Sequence, residues 1–333
     1  MRRYFTSFFV LMILTVTIHA VPQKTKDQAK MIQTVKTGVY LMNIYDLDIS
    51  SNSFYLDAYI WFRWQGSINP LRKLEFLNAV DKWGMTITPG YETPQVLSDK
   101  SNYQWLRVEG RFYQPFDLTK YPIDTQKLQI ILENQEHEET VLKFEKDTQS
   151  QSGIRESLQI PGWDIIQADS IIKSNSYPTN FGDTDIQKQK STYSTFLYSL
   201  SIKRPVSYFL WKLLLPLLVV MLSNVGAVLL HPSYIDARVM MPAGALLTTV
   251  FLQQSYTSNL PDIGYMVLMD QIYIVSYILI IVSLIQIIIT ANWAQPEDEE
   301  SFEKVRKYDY KFLGIQSGVF LVSIIFLVLI NLE

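Results

Sequence analysis

The chain has 333 residues, no cysteine and three histidines, and its 29 basic and 32 acidic side chains leave a formal charge of −3. Disulfides and thiolate metal sites are therefore excluded, a histidine-rich metal site lacks ligands, and nothing in the charge balance suggests nucleic acid. The length allows two domains, and the composition divides accordingly: residues 21–203 hold most of the charge, whereas 207–332 are dominated by apolar runs.

The first twenty residues, MRRYFTSFFVLMILTVTIHA, give a basic start, an apolar run and a small residue at Ala20. This pattern predicts a secretory signal peptide over 1–20, cleaved before Val21, which sends the soluble half out of the cytoplasm. Residues 21–204 then show short runs rich in Val, Ile, Tyr, Phe and Trp between turn clusters, with no long helical period. In 54–64, Leu56, Ala58, Ile60, Phe62 and Trp64 share one face, and Tyr55, Asp57, Tyr59, Trp61 and Arg63 share the other. In 105–112, Leu106, Val108 and Phe112 likewise alternate with Trp105, Arg107, Glu109 and Arg111. About ten such strands predict an antiparallel β-sandwich.

A transmembrane part over 205–333 follows, with predicted helices at about 207–230, 234–258, 263–293 and 309–332. Each is long enough to cross roughly 30 Å of hydrocarbon. Lys304, Arg306, Lys307 and Lys311 close to the membrane favour a cytoplasmic position for the loop before the last helix. Four crossings return the C-terminus to the side of the sandwich.

The second of these helices is too polar to face lipid. It reads DARVMMPAGALLTTVFLQQSYTS over 236–258, and Thr248, Thr249, Gln253, Gln254 and Ser255 would be costly in hydrocarbon unless they met protein or water. Steps of three and four place Met240, Gly244, Leu247, Phe251, Gln254 and Ser258 on one face. That face is apolar in its middle and polar at its outer end, as the lining of a gated pore would be. Pro242 inside it removes one backbone hydrogen bond. Nothing in the chain forms a nucleophile–base pair or metal constellation, so neither enzymatic activity nor a cofactor is expected.

Several segments in order resemble the prokaryotic pentameric ligand-gated ion channels, relatives of the Cys-loop receptors. They are TVKTGVYLMNIYDLDISSNSFYLDAYIWFRW, the loop FYQPFDLTKYPIDTQ at 112–126 with its aromatic-Pro-x-Asp core at 121–124, RPVSYFLWKLLLP at 204–216, and the pore-helix pieces ARV, LLT and NLP. Gln114 and Leu128 stand where the animal receptors carry the bracketing cysteines. The resemblance implies a homopentamer in a bacterial inner membrane, with the sandwich and the C-terminus outside the cytoplasm. Small ligands or protons would open it, and monovalent cations would pass.

The resemblance also assigns roles. Leu247 aligns with the gate leucine, with Phe251 a turn outward as a second constriction, and Asp236 stands at the cytoplasmic mouth as a selectivity carboxylate. Ala237-Arg238-Val239 also occurs in anion-selective members, so an anion channel stays open as an alternative, as does a sensor that does not conduct. Asp124 and Arg204 match a buried pair at the junction of the two parts. The third member is Asp48 or is missing, since Ile49 occupies one candidate position, and Pro122 and Pro261 lie in the loops that couple to the pair, the second within 258–264. A ligand pocket between subunits would take Tyr59, Trp61 and Trp105 from one side. The other side would supply the loops holding Tyr91, Glu133 and residues 177–193, with Tyr177, Phe181 and Tyr193. Aromatic walls suit an amine, whereas the loop ENQEHEE at 133–139, with His137, suits protonation or modulation by divalent cations. A proton-gated member of the family carries Glu where Asn52 stands and a pore-helix His where Thr249 stands.

Overall fold

The computed structural model describes residues 32–182, 190–294 and 298–332; the predicted signal peptide lies outside them. Period-two alternation produces strands and uniform apolarity produces helices. Strands β1 (Gln33–Asp48), β2 (Ser53–Trp64), β3 (Leu74–Phe76), β4 (Ala79–Val80), β5 (Thr86–Pro89), β6 (Gln95–Val96), β7 (Asn102–Tyr113), β8 (Thr125–Asn134), β9 (Leu142–Lys146), β10 (Gly153–Ile154), β11 (Asp164–Tyr177) and β12 (Ser191–Lys203) come first. They form two sheets. One runs β10-β1-β2-β7-β4, with β9 added to β1 and with β5 and β6 added to β7; the other runs β11-β12-β8-β3.

The two sheets close on one core, as a sandwich. Leu56, Ala58, Ile60 and Phe62 of β2 and Val108 and Phe112 of β7 are fully buried, opposite Leu132 of β8 and Phe196, Leu200 and Ile202 of β12. Each such side chain contributes roughly 1.5–3 kcal/mol by leaving water. The alternation read from the sequence therefore holds in β2 and β7. Asp57 is an exception on the outward face: it is buried because Arg107 grips it from the paired strand, Nε to Oδ1 and Nη2 to Oδ2, both at 3.0 Å.

Four helices long and apolar enough to cross a membrane follow among the described residues: α1 (Val206–Leu229), α2 (Ile235–Thr257), α3 (Leu268–Ala291) and α4 (Glu299–Leu332). The start of α1 is widened into a π-helical turn at Phe209–Leu214, just ahead of Pro216, which has no N–H to offer the Lys212 carbonyl. Helix α2 runs through Pro242 without a break. Helix α3 begins five residues later than expected, because Val267 is extended and its N–H is taken by the Asp270 carboxylate at 3.1 Å. Helix α4 begins ten residues earlier than expected. Its charged first turns carry Glu300–Lys304 at 3.2 Å and Glu303–Lys307 at 3.9 Å. They also bury Ser301, Phe302, Val305 and Asp309 on one side, so a helical face is present there that composition concealed.

Gly38 of β1 lies opposite Trp61 of β2, and a Cβ there would fall 2.1 Å from the indole. Gly38→Ala should therefore lower stability by about 1–3 kcal/mol through overpacking. Gly153→Ala, whose Cβ would meet Tyr40 at an ordinary 3.5 Å, should not. Thermal unfolding of the two purified variants compares them directly, and equal midpoints would contradict the close approach.

Candidate functional site: a membrane helix with two faces and the loops above it

Helix α2 has two chemically distinct faces. Arg238, Pro242, Ala245, Thr249 and Tyr256 are buried against the bundle. Asp236, Met240, Gly244, Leu247, Phe251, Gln254 and Ser258 are all exposed in the protomer, Met240 at 72%, Leu247 at 58% and Phe251 at 65%. The exposed side chains of the other helices, such as Leu222, Ile278 and Phe326, suit lipid. A carboxylate, an amide and a hydroxyl on the α2 stripe do not.

The polar residues of α2 then sort by partner. Thr248 and Thr249 donate to the Gly244 and Ala245 carbonyls at 2.8 and 2.7 Å, so their hydroxyls are satisfied within the helix. Gln253 turns inward: its amide donates to Asp270 at 3.3 Å and its carbonyl accepts from Tyr277 at 2.7 Å. Gln254 and Ser258 stay on the exposed stripe.

The junction between sandwich and bundle is built on a buried cation. Arg204 Nε donates to Asp124 Oδ1 at 2.9 Å, and the Asp124 carbonyl accepts the Arg204 backbone N–H at 3.1 Å. The guanidinium carbon lies 4.2 Å from the Trp163 ring centroid, 5.0 Å from Tyr121 and 5.3 Å from Tyr208. This aromatic cage keeps water out and supplies quadrupole attraction. Gln126 holds the second Asp124 oxygen at 2.7 Å. Asp48 does not join the pair. Its carboxylate is taken by Ser50, N–H at 2.9 Å and hydroxyl at 2.8 Å, and the hydroxyls of Ser51 and Ser50 hold it below the ordinary carboxylate range.

The loop around buried Pro122 docks on the bundle through main chain and rings. Leu268 and Met269 donate to the Thr119 and Tyr121 carbonyls at 3.2 and 3.3 Å, Tyr265 Oη accepts from Leu118 N–H at 3.1 Å, and Tyr121 stacks on Tyr256 at 6.2 Å. These hydrogen bonds fall just past 258–264, where the coupling loop was expected; Pro261 is half-buried within that loop. Asn52 ties in the turn after β1: its carbonyl accepts Gln114 N–H at 2.7 Å and its Oδ1 accepts Phe116 N–H at 3.2 Å.

The expected ligand residues fall into two groups that the protomer does not bring together. On the outward face of β2 and β7, Tyr59 meets Trp105 edge-on at 5.4 Å and Tyr91 meets Trp105 at 6.4 Å. Tyr91 thus belongs with Tyr59 and Trp105 and not across from them. The reason is register: β5 pairs with β7, and Gly90 N–H reaches the Trp105 carbonyl at 2.8 Å, which lands Tyr91 on that indole. Trp61 lies opposite Trp105 in the β2–β7 register, with its indole over Gly38 and its Nε1 donating to Asp147 at 3.1 Å.

The second group lines a cavity of about 530 Å³ formed by Glu75, Glu133, Gln135, Tyr177, Asn180, Phe181, Ser191 and Tyr193. Glu133 is buried and accepts from Tyr177 Oη and Thr195 Oγ1 at 2.9 Å each and from Asn175 at 3.2 Å. Burial and the bond to Glu133 push the Tyr177 phenol up to about 12, so it stays a donor throughout the physiological range. Glu75 is the residue that sequence reasoning missed. It lies directly opposite Glu133 in the β3–β8 register, and nothing local in a three-residue strand announces that pairing. Burial raises its carboxyl, but the Lys82 ammonium at 2.7 Å and Gln135 bring it below the ordinary value. Two carboxylates lining one cavity beside aromatic walls give it an acidic, cation-attracting surface. His137 is half-buried in the loop that follows, and among the described residues no three His, Asp or Glu side chains converge as metal ligands.

No family model matches the chain. It is similar to a protein named "Proton-gated ion channel" from Gloeobacter violaceus, 22% identical over 318 residues that cover 88% of this chain and 83% of that one. It is also similar to "pH-sensitive chloride channel 2" of Drosophila melanogaster, 22% identical over 209 residues, 62% of this chain and 39% of the other. A β-sandwich followed by four membrane-length helices, one of them bearing a polar stripe, is the architecture of the pentameric ligand-gated ion channels, and channel relatives over most of its length place the similarity there.

Proposed function

We propose that the protein is a homopentameric, cation-selective channel of a bacterial inner membrane, with the sandwich and the C-terminus outside the cytoplasm. The observation that carries this reading is the exposed stripe of α2. Copies arranged around an axis would line a water path with Asp236 at one end, Gln254 and Ser258 at the other and Met240, Gly244, Leu247 and Phe251 between. Leu247 and Phe251 form the constriction that closes by dewetting, and the Asp236 carboxylates attract monovalent cations. Movement of the sandwich reaches α2 and α3 through Asp124, Arg204, the Pro122 loop and the turn holding Pro261. Asp48 acts in the adjoining turn without touching the pair.

The stimulus enters at the Glu133 cavity, completed in the assembly by the Tyr59, Trp61, Trp105 and Tyr91 face of a neighbouring subunit. Acidic side chains within aromatic walls suit an amine, whereas the pH response in both relatives' names favours protons. Divalent cations would modulate it by screening these acids. A second reading, anion selectivity, is favoured by one specific observation, the relative named as a chloride channel.

Voltage clamp of expressed protein during pH steps from about 4 to 9, which span the histidine and carboxylate ranges, tests the stimulus. Reversal potential in a sodium chloride gradient tests the ion: cation selectivity places it near the sodium potential, and a value following chloride would favour the second reading. Leu247→Ser should give standing current or shift half-activation at least about tenfold, near 1.4 kcal/mol, and an unchanged resting state would remove Leu247 from the gate. Glu133→Gln keeps the shape but loses the charge, so sensitivity to the stimulus should fall by about tenfold or more, as for a charged hydrogen bond worth roughly 1.5–3 kcal/mol. A normal response in that variant would move the stimulus elsewhere.

A further inference from the structure

The first turn of α2 carries two opposite charges two residues apart, and they point opposite ways. Asp236 is exposed on the stripe. Arg238, some 200° further around the helix at about 100° per residue, is fully buried. Its Nη2 donates to Asp309 Oδ2 of α4 at 2.5 Å and its Nε to the Ala227 carbonyl of α1 at 3.3 Å. The other Asp309 oxygen accepts from Gln286 of α3 at 3.3 Å. The Arg238–Asp309 pair therefore gathers all four helices at the end of the bundle where Asp236 stands.

Stability alone is a weak account of this pair, because apolar side chains of similar volume often serve a buried position equally well. Its electrostatic consequence is specific. Arg238 lies only about 3 Å from Asp236 along the helix axis at 1.5 Å per residue, within a Debye length of about 8 Å at physiological salt. Behind a low-dielectric wall it is screened less than that. Unopposed, each Arg238 would offset the neighbouring Asp236 and leave the mouth neutral.

We infer that Asp309, on a helix outside the pore lining, is a positioning residue for charge selectivity. It pins Arg238 behind the pore wall and cancels its charge, so that Asp236 alone sets the sign of the mouth. The inference rests on the reading of α2 as the lining of a cation pore.

The test is the sodium-to-chloride permeability ratio, a readout that a merely structural role would not move. Wild type decides the underlying reading: a ratio favouring chloride removes the cation pore whatever Asp309 does. In a cation-selective wild type, Asp309→Asn should lower the ratio about tenfold or more, as expected from one uncancelled charge per subunit at this range. Adding Arg238→Gln to Asp309→Asn should restore it. An unchanged ratio in Asp309→Asn, or failure of the double variant to recover, overturns the role of Asp309. Where Asp309→Asn does not reach the surface, Asp236→Asn is compared with and without the neutral Arg238→Gln, Asp309→Asn pair. Equal ratios support cancellation in wild type. A severalfold lower ratio with the native pair present means that Arg238 acts uncancelled, and overturns the inference.

Discussion

Where the chain leaves its β part for the membrane, it must carry a bare cation through a dry interface, and the surroundings of Arg204 are organised to permit that. Taking a guanidinium out of water costs several kcal/mol unless a carboxylate and further contacts replace the lost hydration. Asp124 supplies the charge, the rings of Trp163, Tyr121 and Tyr208 supply a polarisable wall, and Gln126 fixes the carboxylate from behind. Because Tyr121 also stacks on Tyr256 of α2 and offers its carbonyl to Met269 of α3, the same cage sets the position of two membrane helices. Breaking the pair would leave one charge buried and alone, which is the expensive outcome, so the junction holds together or fails as a unit.

The membrane helices solve a related problem with smaller means. Hydroxyls of Thr248, Thr249, Ser276 and Ser283 return to carbonyls one turn back. The amides of Asn224 and Gln316 meet at the Ser283 hydroxyl, at 2.9 and 2.6 Å. Polar groups therefore knit α1, α3 and α4 internally, while the stripe on α2 keeps its polar ends outward. In hydrocarbon such contacts are modest individually, and those that cross between helices, including Gln253 of α2 to Asp270 and Tyr277 of α3, fix rotation about the helix axes. For α2, that rotation decides which side chains form the stripe.

What the sequence made legible was periodic and local. The alternation of Leu56, Ala58, Ile60, Phe62 and Trp64 and the three-four spacing from Met240 to Ser258 needed only the geometry of one element, and the junction pair Asp124–Arg204 came from the family resemblance. What it concealed depended on partners far along the chain. By resemblance Tyr91 falls across the pocket, and nothing in PGYET announces that β5 pairs with β7. Glu75 carries no local signal, because its meaning lies in a register with Glu133. The resemblance points to Asp48 as a partner of Arg204, but a nearby serine turn captures its carboxylate. Arg238 read as a motif letter, and only the fold shows that it turns inward to Asp309 on α4. The early start of α4 was hidden by its charges, whose i,i+4 pairing masks a buried face.

Asn52 adds a mechanical consequence. Its main-chain and side-chain oxygens both clasp the loop that begins at Gln114, while its left-handed backbone, φ 52°, closes the turn between β1 and β2. Two loops that leave the sandwich from different strands are thereby riveted into one foot standing on the bundle. Separating the two loops would break both hydrogen bonds to Asn52, so the turn and the loop are tied to move as one piece.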